Sequence, residues 1–170
     1  MSTMFNAREV FEIAEEIEHN GARFYRQAAD LADAWPEAQK VLTRLATMED
    51  EHEKLFRAMK QEFTPVDGKA TLPDPDEQAL AYLREMGDAQ AFGNREDLAG
   101  RLSDATTLVE IYRMAIGFEK DSVLYFSAIR KLVPNDLGKN RIDMLITEEI
   151  SHVALLSREL KRIGGTATGT

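Results

Sequence analysis

Taken in steps of three and four residues, the apolar positions of this chain fall into four long stripes, the spacing of one helix face. The first runs Phe11, Ala14, Glu18, Gly21, Tyr25, Ala28, Ala32, and the second Leu42, Leu45, Glu49, His52, Phe56, Met59, Phe63. The third runs Ala105, Leu108, Tyr112, Ala115, Glu119, Ser122, Phe126, Ile129, Val133, and the fourth Ile142, Leu145, Glu149, His152, Leu156. Apolar and polar residues alternate nowhere over a useful length, so an all-α fold is expected.

Local signals place the helix ends. Asn6 and Glu9 form a capping box ahead of the first helix, which extends to about Asp33. Trp35-Pro36 breaks the chain, and Pro36 suits the first turn of a second helix lasting to about Phe63. Ser103 and Asp104 open the third helix, which stops before Pro134; Asn135 or Asp136 caps the fourth, and Gly164-Gly165 ends it. Between the two pairs, TPVDGKATLPDPD cannot be regular helix, and a shorter helix is expected over Glu77 to Met86. Helices of ~25–28 residues span ~40 Å, which is bundle length. The segment 64–102 can run the whole length of a four-helix bundle as a crossover; an up-down bundle with an inserted subdomain is the alternative.

Each stripe is apolar or small except near its middle. There the first and third helices each place one glutamate, Glu18 and Glu119, and the second and fourth each place Glu-x-x-His, as Glu49/His52 and Glu149/His152. Residues three apart on a helix project from one side, so each pair can reach a single ion. The pattern repeats at nearly constant offset: 101 residues from Glu18 to Glu119, and 100 from Glu49 to Glu149 and from His52 to His152. The neighbouring acids Glu12, Glu16, Asp50, Glu51 and Glu53 fall off these seams, and Glu12, Glu16, Asn20, Arg23 and Gln27 form a polar face opposite the first stripe. His19 turns ~100° away from Glu18 onto a solvated flank.

Burying charged groups costs several kcal/mol each unless they are paired or neutralised, and clustered like charges cost more. No lysine or arginine lies on the four seams. Two divalent ions would cancel four carboxylates and leave both histidines as neutral ligands. Oxygen and imidazole donors without sulfur suit iron or manganese; zinc also binds such donors but has no redox chemistry.

Composition narrows the partners. Thirty acidic against twenty-one basic side chains give a formal net charge of −9, which argues against nucleic acid and anionic membrane surfaces. No apolar run approaches the ~20 residues that span a bilayer. The N-terminal MSTMFNAREVFE shows no basic segment followed by an apolar block, so a cytoplasmic location is expected. With no cysteine there is no disulfide framework, thiolate or iron–sulfur cluster.

The motifs EHNGARFY (18–25), EDEH (49–52), EKDSVLYF (119–126) and EEISH (148–152) resemble those of the rubrerythrin and ferritin-like di-iron carboxylate superfamily. The resemblance covers essentially the full chain. It implies a ferritin-like bundle over 1–165, with halves 6–63 and 103–163 joined by the crossover 64–102; the closing residues GGTATGT themselves suggest a flexible tail at 166–170. It also implies two iron ions per chain, with Glu49 and Glu149 bridging and Glu18 and Glu119 terminal, and a supporting role for Tyr25 beside a ligand carboxylate. Two features depart from rubrerythrins proper. Their third helix carries a further glutamate where this chain has Ser122, and they append a cysteine-rich rubredoxin module that is absent here. The implied activity is oxidation of a diferrous centre by hydrogen peroxide or dioxygen, as a peroxidase or ferroxidase, with a separate electron-donor protein and a homodimeric assembly. An iron-storage protein without turnover and a non-catalytic helical interaction module are the competing readings.

Overall fold

The computed structural model describes residues 7–62, 81–83, 102, 107–133 and 138–166. They contain four long helices, α1 (Ala7–Leu31), α2 (Pro36–Glu62), α3 (Leu108–Leu132) and α4 (Lys139–Thr166), of 25, 27, 25 and 28 residues. No strand occurs among the described residues. Pro36 is the first residue of α2, where its missing N–H costs nothing. The third helix opens at Thr107 rather than at Ser103 or Asp104. The Thr107 side chain accepts from the Glu110 N–H at 3.2 Å, and the Glu110 carboxylate accepts from the Thr107 N–H at 2.9 Å, a complete capping box. The fourth helix continues through Gly164 and Gly165 to Thr166, since glycine weakens a helix without breaking it. The expected signals at Asn6, Phe63, Asn135 and Asp136 lie outside the described residues, as does most of the helix expected over 77–86; residues 81–83 within it are helical.

Contacts between neighbouring helices fix the helix directions. Between α1 and α2, Glu15 meets Arg57 and Lys60 while Arg26 meets Asp50, so these helices are antiparallel. Arg130–Asp143 at one end of α3 and α4, with Tyr112 facing Glu159 and Arg162 at the other, makes that pair antiparallel too. Across the bundle, Tyr125 lies against Val10 and Phe118 stacks on Phe24 at 6.0 Å, so α1 and α3 are antiparallel. It follows that α2 and α3 are parallel. The chain must therefore return along the bundle between them, which selects the long crossover over the up-down alternative. Leu83 is buried beside Val10, Phe56, Tyr125 and Ile142 at one end, and Leu102 beside Phe24, Leu42, Leu108 and Leu156 at the other.

Those two groups of residues are separate apolar cores, one at each end of the bundle. Every described member of the four expected stripes is buried. Two faces are wider than expected. On α1, Val10, Ile17, Asn20 and Phe24 are buried as well, so Asn20 is not part of an open polar face; on α3, Ile111, Phe118, Tyr125 and Leu132 are. At the turn into α4, Gly138 has φ +96°, and a Cβ there would also stand 3.0 Å from Met59. No helix among the described residues is long and apolar enough to cross a membrane.

Candidate metal centre

Between the two apolar cores lies a layer of charge. Glu18, Glu49, His52, Glu119, Glu149 and His152, one or two from each helix, are all at most 4% exposed. Their donor atoms form two overlapping groups, each with all atoms within 4.8 Å of one another: Glu18, Glu49, His52 and Glu149 in one, and Glu49, Glu119, Glu149 and His152 in the other. Glu49 and Glu149 belong to both. The structure thus brings together all six residues that the sequence singled out.

Both imidazoles turn Nδ1 toward the carboxylates. His52 Nδ1 lies 2.8 Å from Glu149 and 3.5 Å from Glu18, and His152 Nδ1 lies 3.2 Å from Glu149 and 3.5 Å from both Glu49 and Glu119. The rings face each other at 5.8 Å, tilted by 18°. Tyr25 donates a short hydrogen bond to Glu119 Oε1. Gly21 is needed for closeness, because a Cβ there would stand 3.0 Å from Glu49 Oε2 and from the Phe118 ring. His19 sits apart on a half-exposed flank, 3.2 Å from Glu53.

Protons alone balance this layer poorly. Burial pushes Glu18 and Glu49 well above the usual carboxylate range, the other carboxylates add to it, and Glu119 reaches about 8. Burial acts in the same direction on Glu149 but is outweighed by His152 and His52, which hold it well below that range. Burial would depress both histidines, yet the adjoining carboxylates carry His52 up to about 9 and His152 up to about 10. Burial also raises Tyr25 well above its ordinary value, so it stays a donor.

Each of the six residues still leaves one buried polar atom without a hydrogen-bond partner: Glu18 Oε1, Glu49 Oε1, His52 Nδ1, Glu119 Oε2, Glu149 Oε1 and His152 Nε2. The close approach of His52 Nδ1 to Glu149 is off the direction a hydrogen bond needs, so it is electrostatic. Buried orphan atoms are rare in proteins because each costs about 1–3 kcal/mol. All six are carboxylate or imidazole atoms, and the residues that carry them are those of the two donor groups, the donor set of a carboxylate–histidine metal site. The residues fit such a group.

Glu148 was not singled out by the sequence. Its carboxylate reaches across from α4 to His52 Nε2 at 2.7 Å, behind the face that His52 turns to the cluster. Spacing along α4 gave no hint of this, but its place directly before Glu149, in EEISH, is a usable signal.

No protein-family model matches the chain, and no curated protein matches its sequence. Among solved structures, it is similar to a Thermotoga maritima protein described as ferritin-like and diiron-carboxylate, with a TM-score of 0.66 and 21% identity. The alignment covers 95% of this chain and 98% of that one. The chain has a ferritin-like all-α fold, and at its centre a buried Glu/His cluster compatible with a di-iron site.

Proposed function

We propose that this protein is a non-haem di-iron oxidoreductase, a rubrerythrin-like peroxidase or ferroxidase that uses hydrogen peroxide or dioxygen. The observation that carries this reading is the pair of overlapping ligand groups sharing Glu49 and Glu149. Glu18 and His52 would complete one iron position, Glu119 and His152 the other. Held there, two iron ions would supply redox chemistry toward peroxide or dioxygen that zinc would not.

The chain's own residues shape what happens there. Glu49 and Glu149, one from each half, would hold the two ions together, and four carboxylates against two divalent ions leave the buried layer neutral. Tyr25 keeps its proton and donates it in a hydrogen bond to Glu119 Oε1, fixing that carboxylate without competing for charge. The apolar cores on either side exclude water from the layer. The peroxidase cycle proposed would be completed by an external electron-donor protein. A homodimer, rather than a hollow storage shell, is the assembly proposed with it.

The test is stopped-flow oxidation of protein loaded anaerobically with two Fe(II) per chain, with peroxide and dioxygen compared at equal concentration. Faster oxidation by peroxide, with the iron retained and reducible again, is expected. Faster oxidation by dioxygen followed by iron release would make it a ferroxidase. Oxidation no faster than that of free Fe(II) would overturn the enzymatic reading.

A further inference from the structure

The two halves of the centre superpose in sequence but not in chemistry. At the 100-residue offset that relates Glu49 to Glu149 and His52 to His152, Glu148 corresponds to Met48. At the 101-residue offset that relates Glu18 to Glu119, Tyr25 corresponds to Phe126. Both differences fall on residues that support ligands. Glu148 accepts at His52 Nε2, whereas His152 Nε2 is buried with no partner among the described residues. Tyr25 donates to Glu119, whereas Glu18 Oε1 is without a partner among the described residues.

A neutral imidazole has one N–H and one lone pair, and a metal takes the lone pair. With Glu148 accepting the Nε2–H of His52, the lone pair is fixed on Nδ1, the nitrogen turned toward Glu149 and Glu18. A carboxylate behind a histidine also makes that histidine a stronger donor. Among the described residues His152 has no such acceptor at Nε2, and its Nδ1 meets the Glu149 carboxylate at 3.2 Å, so nothing there holds the proton on Nε2 and leaves Nδ1 free for an ion. Tyr25 steadies Glu119 but draws charge from it, which strengthens the second position less.

We propose that the two metal positions are unequal, that the one completed by Glu18 and His52 fills first, and that Glu148 is the positioning residue responsible. This rests on the di-metal reading of the centre. Glu148 has its side chain 47% exposed, so it can be changed without opening the core.

The test is titration of the metal-free protein with Co(II), followed by visible absorption and calorimetry. Wild type is expected to bind two ions in separate steps, the first about 10-fold or more tighter. Glu148→Ala should weaken that first step about 10–100-fold and merge the two, while the metal-free protein stays folded. Glu148→Gln, which keeps an acceptor oxygen, should restore part of the difference. His152→Ala should remove the second step and spare the first, and Met48→Glu should tighten the second. Two equal steps in wild type, or equal weakening of both by Glu148→Ala, would overturn the proposal while leaving a di-metal site intact. Absence of any Co(II) binding would overturn the di-metal reading and this proposal with it.

Discussion

Phe56 and His52 stand one turn apart on α2 and are almost equally buried, at 0% and 4% exposure. Their burial has opposite meanings. Phe56 meets Phe11 at 6.3 Å and Phe126 at 5.0 Å, and its removal from water stabilises the fold directly. His52 has been taken out of water with a nitrogen left unpaired, in a layer where three carboxylates are driven toward the protonated form. The end cores hold the bundle together, and the middle layer is held in place by them. Depth of burial does not separate the two regions; the presence or absence of a partner for each polar atom does.

Substitutions should divide along the same line. Phe56→Ala is expected to cost about 3–5 kcal/mol in urea unfolding, to a similar extent with and without metal. Glu49→Gln should do the reverse, stabilising the metal-free protein at mildly alkaline pH by about 1–4 kcal/mol while abolishing the rise in melting temperature that Mn(II) gives wild type. If Glu49→Gln instead destabilised the metal-free protein, the middle layer would be ordinary core and the contrast would disappear.

The pH dependence sharpens the contrast further. Glu18, Glu49, Glu119, His52 and His152 all have pKa values raised in the folded state. Each therefore contributes stability that is full below its unfolded value and lost as pH climbs through its folded value. Glu149, whose pKa is depressed, contributes stability that is lost as pH falls. The metal-free melting temperature should thus decline as pH climbs from the ordinary values of 4.5 and 6.5 toward the folded values of Glu119 at about 8, His52 at about 9 and His152 at about 10, and level off beyond them. Because metal replaces these protons, the gain on adding Mn(II) should grow over the same range. Melting curves with and without Mn(II) that run parallel across it would contradict the assignment. The smallest effect expected is that of Tyr25→Phe, about 1 kcal/mol lost in the metal-free protein, since only one hydrogen bond to Glu119 is removed. A loss as large as that of Phe56→Ala would place Tyr25 with the end cores instead.

Much of this was legible in the sequence because helices in a bundle announce their buried face by periodicity. Acids and imidazoles at stripe positions such as Glu49 and His52 stood out against leucine and phenylalanine neighbours, and the repeat in the second half confirmed the choice of residues. What escaped was whatever depends on a second helix. Asn20 looked solvated because a single stripe was assigned to α1, yet that helix also faces α3, whose Phe118 stacks on Phe24. Glu148 was not singled out because its partner His52 is 96 residues away. The true start of α3 was missed for a local reason: the capping-box spacing of Thr107 and Glu110 was overlooked, and the Glu110 carboxylate accepts from the Thr107 N–H.

The parallel course of α2 and α3 has a further consequence. Each helical hairpin brings two carboxylates and one imidazole, and both groups that can surround an ion draw on both hairpins. Separated, the halves would meet only as often as their concentration in solution allowed. Joined by a long connection, they meet at an effective concentration set by the tether, and lengthening such a tether costs only about 0.6 kcal/mol per doubling. None of the six ligands lies on the crossover. Its contribution to the centre is local concentration, while Leu83 and Leu102, buried in the two end cores, tie it to the bundle at either end.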